Sequence, residues 1–193
     1  MPEIVADETV VSYQVNPRAS RFTVQAFAEG LLSAFGHNPR FNAGDLFGVV
    51  KFHKDDLKAS SLEFTVKADS LQVSDKVSEK DRREMERMMK EEVLETARFP
   101  NIVFVSKAVT ATRIYEGFYR LTIAGQLSLH GVTRDHTIEA QVRLMEDSLR
   151  AEGESRLLQS NYGIKRVSVA GGTLKVKDEV KLSFAIVAQS HES

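Results

Sequence analysis

Five histidines are the side chains of this 193-residue chain best suited to bind a metal or move a proton near neutral pH. His130 and His136 flank Gly131, His37 sits in the stretch Phe35-Gly36-His37-Asn38-Pro39, and His53 stands apart. Zinc sites read as paired histidines at helical spacing or as cysteine pairs. The chain has no H-x-x-x-H, no H-E-x-x-H and no cysteine. Without cysteine there is also no thiol nucleophile and no disulfide framework. No G-x-S-x-G elbow presents a serine to a base, and no Gly-rich loop would cradle a phosphate. His130 falls on the polar face of its strand pattern and is expected to point outward. Asp81-Arg82 and Glu91-Glu92 lie in a charge-rich stretch that reads as surface ion pairs. His37 is the histidine best placed to meet a polar group, because it lies in a loop. These residues give no specific reason to expect an enzyme.

The apolar residues carry more information. They make up 42% of the chain, enough for a real core, and the formal net charge is −1. Basic and acidic residues are interleaved, so nothing resembles the clustered Lys and Arg that nucleic acid requires. No run approaches the roughly 18 apolar residues of a membrane-spanning helix. The opening Met1-Pro2-Glu3-Ile4-Val5-Ala6-Asp7-Glu8 is acidic, without a basic n-region or apolar h-region. As written the chain is expected to be cytoplasmic, or periplasmic if a leader has been removed.

Alternation with period two dominates. Leu121, Ile123, Leu127 and Leu129 share one face, with Arg120, Thr122, Gln126, Ser128 and His130 on the other. After a turn expected at Gly131-Val132-Thr133-Arg134, Ile138, Ala140, Val142 and Leu144 continue the pattern as the second arm of a hairpin. Phe22-Val24-Ala26, Leu62-Phe64-Val66-Ala68 and Val180-Leu182-Phe184-Ile186 repeat it. Residues 40–52 and 101–112 are β-rich, and 149–158 is a weaker strand, which makes about eight strands.

One segment follows a different period. Residues 79–95 lack Pro and Gly and are expected to form an amphipathic helix, capped by Ser78 with Asp81 in the capping-box position. Met85, Met88, Met89 and Val93 form its apolar stripe. Many antiparallel strands and a single helix suit a closed barrel, which hides sheet edges, or a two-sheet sandwich. Periodicity leaves both open. No linker divides the chain, so residues 1–193 read as one domain with a core at about 12–189.

Five segments, in order, carry a resemblance. They are Asn16-Pro17-Arg18-Ala19-Ser20-Arg21-Phe22-Thr23-Val24, then Leu71-Gln72-Val73-Ser74 with Lys80-Asp81-Arg82, and the helix exit from Glu92 to Phe104 through Phe99-Pro100. The hairpin Gly125-Gln126-Leu127-Ser128-Leu129-His130-Gly131-Val132-Thr133-Arg134 and the strand Asp178–Phe184 complete the set. Together they resemble the YceI-like family, whereas Asn161 to Lys177 matches it poorly. The resemblance implies an all-β, extended antiparallel eight-stranded lipocalin-like barrel with one inserted helix. It further implies a lumen that takes a polyisoprenoid, quinone or similar lipid as carried or sequestered cargo, with no catalytic residue, metal or resident cofactor.

On that basis the candidate ligand contacts are Phe22, Val24, Leu62, Phe64, Val66, Met85, Met89, Leu121, Ile123, Leu127, Leu129, Val142, Leu182 and Phe184. His37 is the candidate for the ligand's polar head. The competing expectation is a non-catalytic interaction or structural β-domain with a solid core. A homodimer is compatible with either.

Overall fold

The period-two runs pair into one continuous antiparallel sheet that closes on itself. The computed structural model describes residues 10–29, 38–169 and 174–190. Its first seven strands are β1 (Val10–Val15), β2 (Arg21–Gln25), β3 (Ala28–Glu29), β4 (Arg40–Ala43), β5 (Leu46–His53), β6 (Ser61–Lys67) and β7 (Leu71–Val73). Helix α1 (Glu79–Met88) follows. Then come β8 (Asn101–Tyr115), β9 (Phe118–Leu129), β10 (Val132–Leu144), β11 (Ser148–Leu158), β12 (Ser168–Val169), β13 (Leu174–Val176) and β14 (Glu179–Ser190).

Eight strands run side by side in the order β1-β5-β6-β8-β9-β10-β11-β14, and β14 pairs back onto β1. That pairing makes a barrel and removes the exposed edges of an open sheet. Long β14 pairs with β11 along one edge and serves two partners along the other: Ala188–Ser190 pair with β1 and Lys181–Ala185 pair with β2. From β2 the sheet flares away through β4 to β7. Three barrel strands are thus broken and continued past the break, β1 by β2, β5 by the preceding β4, and β6 by β7. Strands β12, β13 and β3 form a separate small sheet, which lies in and beside the stretch where the family resemblance was weakest.

Among the described residues β7 has no strand partner beyond β4, and α1 packs there instead. Ser78 caps the helix, its Oγ accepting from Asp81 N–H at 3.1 Å. The helix is shorter than the expected 79–95. After Met88 it widens into a π turn over Met89–Val93, with Leu94 N–H bonded to Met89 O at 2.9 Å. Glu95 then reverses the chain at φ +47°. The wider turn lets Met89, Val93 and Leu94 all face the barrel, which a regular helix of 3.6 residues per turn would not allow.

The β9–β10 turn also differs from expectation. It is His130-Gly131 alone, and β10 begins at Val132, opposite Leu129. His130 and Gly131 both have positive φ, +52° and +75°, the signature of a two-residue hairpin whose twist matches its strands.

Candidate functional site

The inner faces of the barrel strands enclose a cavity of about 670 Å³, within the roughly 300–1,000 Å³ of small-molecule sites. Strand parity decides the lining. On β9 it is Leu121, Ile123, Leu127 and Leu129; on β10, Ile138, Ala140 and Val142; on β14, Leu182, Phe184 and Ile186. Leu46, Val66 and Leu71 are sealed at 2% exposure or less. Leu62, Phe64, Leu121, Ile138, Leu182 and Phe184 border the cavity yet remain only half-buried. An apolar group on the inner face of a closed barrel has only the interior to be accessible to. The half-buried set therefore marks where the lumen is most open, and the sealed set where its wall is most tightly packed.

Helix α1 covers the flared end. Met85, Met88 and Met89 border the cavity, followed by Val93 and Leu94 from the π turn. Met89 is buried in a cluster with Phe41, Leu71 and Val73. Unbranched thioether side chains can repack around occupants of different shape. Arg82 fastens the helix to β7 by donating from Nη1 to Val73 O and from Nη2 to Asp75 O, the latter at 3.1 Å. Glu86 adds an acceptor for Val73 N–H at 3.0 Å. Arg82 is therefore a latch to the sheet, and it also makes a surface ion pair of the kind expected of this stretch, its Nε lying 3.9 Å from Glu79 Oε2. Arg87 does form exposed pairs with Glu91 and Glu92.

Of the residues singled out from sequence, Phe22, Val24, Leu62, Phe64, Val66, Met85, Met89, Leu121, Ile123, Leu127, Leu129, Val142, Leu182 and Phe184 all border the cavity. His37 lies outside the described residues. Sequence reasoning missed Phe52 and Val109, which also line it. In β5 the outward Phe47 and Val49 are apolar and exposed, so both faces read alike. In β8 a bulge between Ser106 and Ala108 shifts the parity, turning Phe104 and then Val109 inward.

The two histidines around Gly131 have separate environments. His130 is not exposed as expected: at positive φ in the turn, its side chain is covered by the helix exit and the loop after β11 and is only 12% exposed. Its Nε2 lies 2.7 Å from Glu95 Oε2 and its Nδ1 3.2 Å from Tyr162 O, with the Phe99 ring packed against it. This joins the helix exit, the β9–β10 turn and the loop after β11. His136 shares the parity of Ile138 and Ala140 and borders the cavity. Its Nε2 lies 2.6 Å from Ser155 Oγ, and burial pushes its pKa below the ordinary 6.5. Among the described residues no three His, Asp or Glu side chains converge as a metal site.

Residues 13–188 match the family model of the YceI-like domain. The chain belongs to the YceI-like family. No curated protein matches it in sequence. Similar YceI-like folds occur among solved structures. Burkholderia cenocepacia BcnA has 16% identity and a TM-score of 0.68, over 91% of this chain and 99% of that one. A polyisoprenoid binding domain from Saccharophagus degradans, implicated in plant cell wall breakdown, has 12% identity and a TM-score of 0.66, over 94% and 99%. The Campylobacter jejuni YCEI protein has 14% identity and a TM-score of 0.59, over 82% and 88%. At these identities the likeness is one of fold.

Proposed function

We propose that this protein binds a long apolar or amphiphilic lipid, of the polyisoprenoid or quinone kind, within its barrel, and that it carries or sequesters that lipid without transforming it. The observation that carries this reading is the set of half-buried apolar side chains, Leu62, Phe64, Leu121, Ile138, Leu182 and Phe184, around a cavity of about 670 Å³. The polyisoprenoid binding domain of Saccharophagus degradans shares the fold, which supports the choice of ligand class.

Physical chemistry makes the reading sufficient. Burying a CH₂ contributes about 0.8 kcal/mol, so one five-carbon isoprene unit contributes roughly 3–4 kcal/mol before ordering costs. A few units reach the roughly 8–12 kcal/mol of micromolar to nanomolar binding. Tail burial alone is enough for affinity.

The test is mass spectrometry of an organic extract from gently purified protein, beside a heat-denatured control, with melting temperatures measured as polyprenol is added. A stoichiometric isoprenoid or quinone in the extract, or a melting temperature that climbs with polyprenol, supports the carrier. A lipid-free extract combined with a static melting temperature rejects it.

A further inference from the structure

A polar pair at the wall of the lumen, His136 with Ser155, is placed to hold a ligand's head. The backbone ladder between β10 and β11 stops at Glu139–Glu154, although β10 stays paired to β9 as far as Val132 and β11 to β14 as far as Leu158. Side chains bridge the seam below that point. His136 reaches Ser155, Arg134 Nε donates to Asn161 O, and His130 meets Tyr162 O. Only His136 among these three borders the cavity.

Its two ring nitrogens have different surroundings. Nε2 is taken by Ser155 Oγ. Nδ1 has no hydrogen-bond partner among the described residues, and no side-chain nitrogen or oxygen there is both fully buried and unpartnered. Nδ1 therefore keeps accessible surface, on a residue that borders the lumen. We infer that His136, oriented by Ser155, is the head-group anchor of the lumen and takes an uncharged ligand head bearing one hydrogen-bonding oxygen, an alcohol or a carbonyl.

Burial keeps the imidazole neutral near pH 7, so it offers one N–H and one lone pair. If the Ser155 hydroxyl donates to Nε2, Nδ1–H faces the ligand and suits a carbonyl or alcohol oxygen. If Nε2–H donates instead, the Nδ1 lone pair accepts from an alcohol O–H. Neither state carries a charge to balance an anion. Lys175 is the single cationic residue among the described lining residues, and it is exposed on β13. Arg134, two residues from His136, is exposed and engaged with Asn161 O. Asp81 and Glu84 on α1 bring negative charge to the lining. A diphosphate head would meet little compensation for its charge.

This inference rests on the carrier reading, and the experiment separates the two. Farnesol, its saturated hydrocarbon farnesane and farnesyl diphosphate compete against a fluorescent apolar dye, on wild type, His136→Phe and Ser155→Ala. Farnesane binding reports an intact lumen in each variant. His136→Phe is expected to weaken farnesol about five- to tenfold, the loss of one neutral hydrogen bond, while farnesane stays within about twofold. Ser155→Ala is expected to weaken farnesol in the same direction by less, and the diphosphate to bind wild type more weakly than farnesol. Equal changes for farnesol and farnesane, or no change in either, overturn the anchor and leave the carrier standing. A diphosphate that binds most tightly overturns the uncharged head. Failure of the dye and both uncharged chains to bind wild type overturns the carrier and the anchor together.

Discussion

Phe184 stands directly opposite Gly153 in the β11–β14 ladder, and its ring lies 2.5 Å from the place a Cβ at position 153 would occupy. The Glu139 carbonyl crowds the same point from the other side. Phe64 faces Gly48 in the same way across β5–β6. In each pair the missing side chain leaves room for a ring to lie along the barrel wall, so a large apolar group lines the lumen without filling it. Gly153→Ala should therefore destabilise the fold by about 1–3 kcal/mol, the usual cost of forcing atoms into a packed site. Urea denaturation measures it, and an unchanged midpoint would show that the ring and the Glu139 carbonyl both give way freely.

An open lumen tolerates added bulk where a solid core does not. Ala151 is half-buried on the inner face of β11 and borders the cavity. Ala151→Phe should leave stability within about 1 kcal/mol of wild type, because the ring enters free space, whereas overpacking a filled core costs about 1–3 kcal/mol. The same variant should lose lipid binding. Thermal melts and dye displacement read the two effects.

His136 makes stability depend on pH. Burial holds its pKa below 6.5 in the folded protein, so as pH falls the unfolded chain takes up the proton first. Its contribution is complete above about pH 6.5 and is lost as pH drops toward and through the lowered folded value. His136→Phe should lose less stability than wild type between about pH 7.5 and pH 5.5. Parallel pH profiles of the two proteins would mean that His136 stays solvated.

At the β9–β10 turn, conformation and bonding can be separated. Position 130 needs positive φ, which asparagine tolerates and β-branched residues resist. His130→Val should cost more than His130→Asn, which keeps a favourable Asn-Gly turn but loses the contact to Glu95. Glu95→Ala, which removes the carboxylate that meets both His130 and Arg98, should cost about 1 kcal/mol. Chemical denaturation ranks the three, and equal losses for Val and Asn would deny the turn its conformational role.

Much of the lumen was legible because strand parity is a one-bit code. Once Leu121, Ile123, Leu127 and Leu129 share a face, the sheet gives them a common side. The code failed where its physical basis did. Phe47 and Val49 put apolar groups outside as well as inside, and the bulge near Ser106 reversed the parity of β8. The π turn after Met88 depends on packing against the flared sheet, which no local propensity encodes. His136 was within reach, two residues before Ile138 on the same face. Placing the turn at Gly131–Arg134 shortened the strand and obscured that relation. Barrel closure itself is a long-range pairing of β1 with β14, and only the family resemblance chose it over a sandwich.

Native mass spectrometry of the protein titrated with a polyprenol, wild type beside Ala151→Phe, tests the lumen most directly. The proposed carrier role predicts a one-to-one complex for wild type and mostly bare protein for the variant. Bare protein throughout, or equal loading of both proteins, would contradict a lipid held inside the barrel.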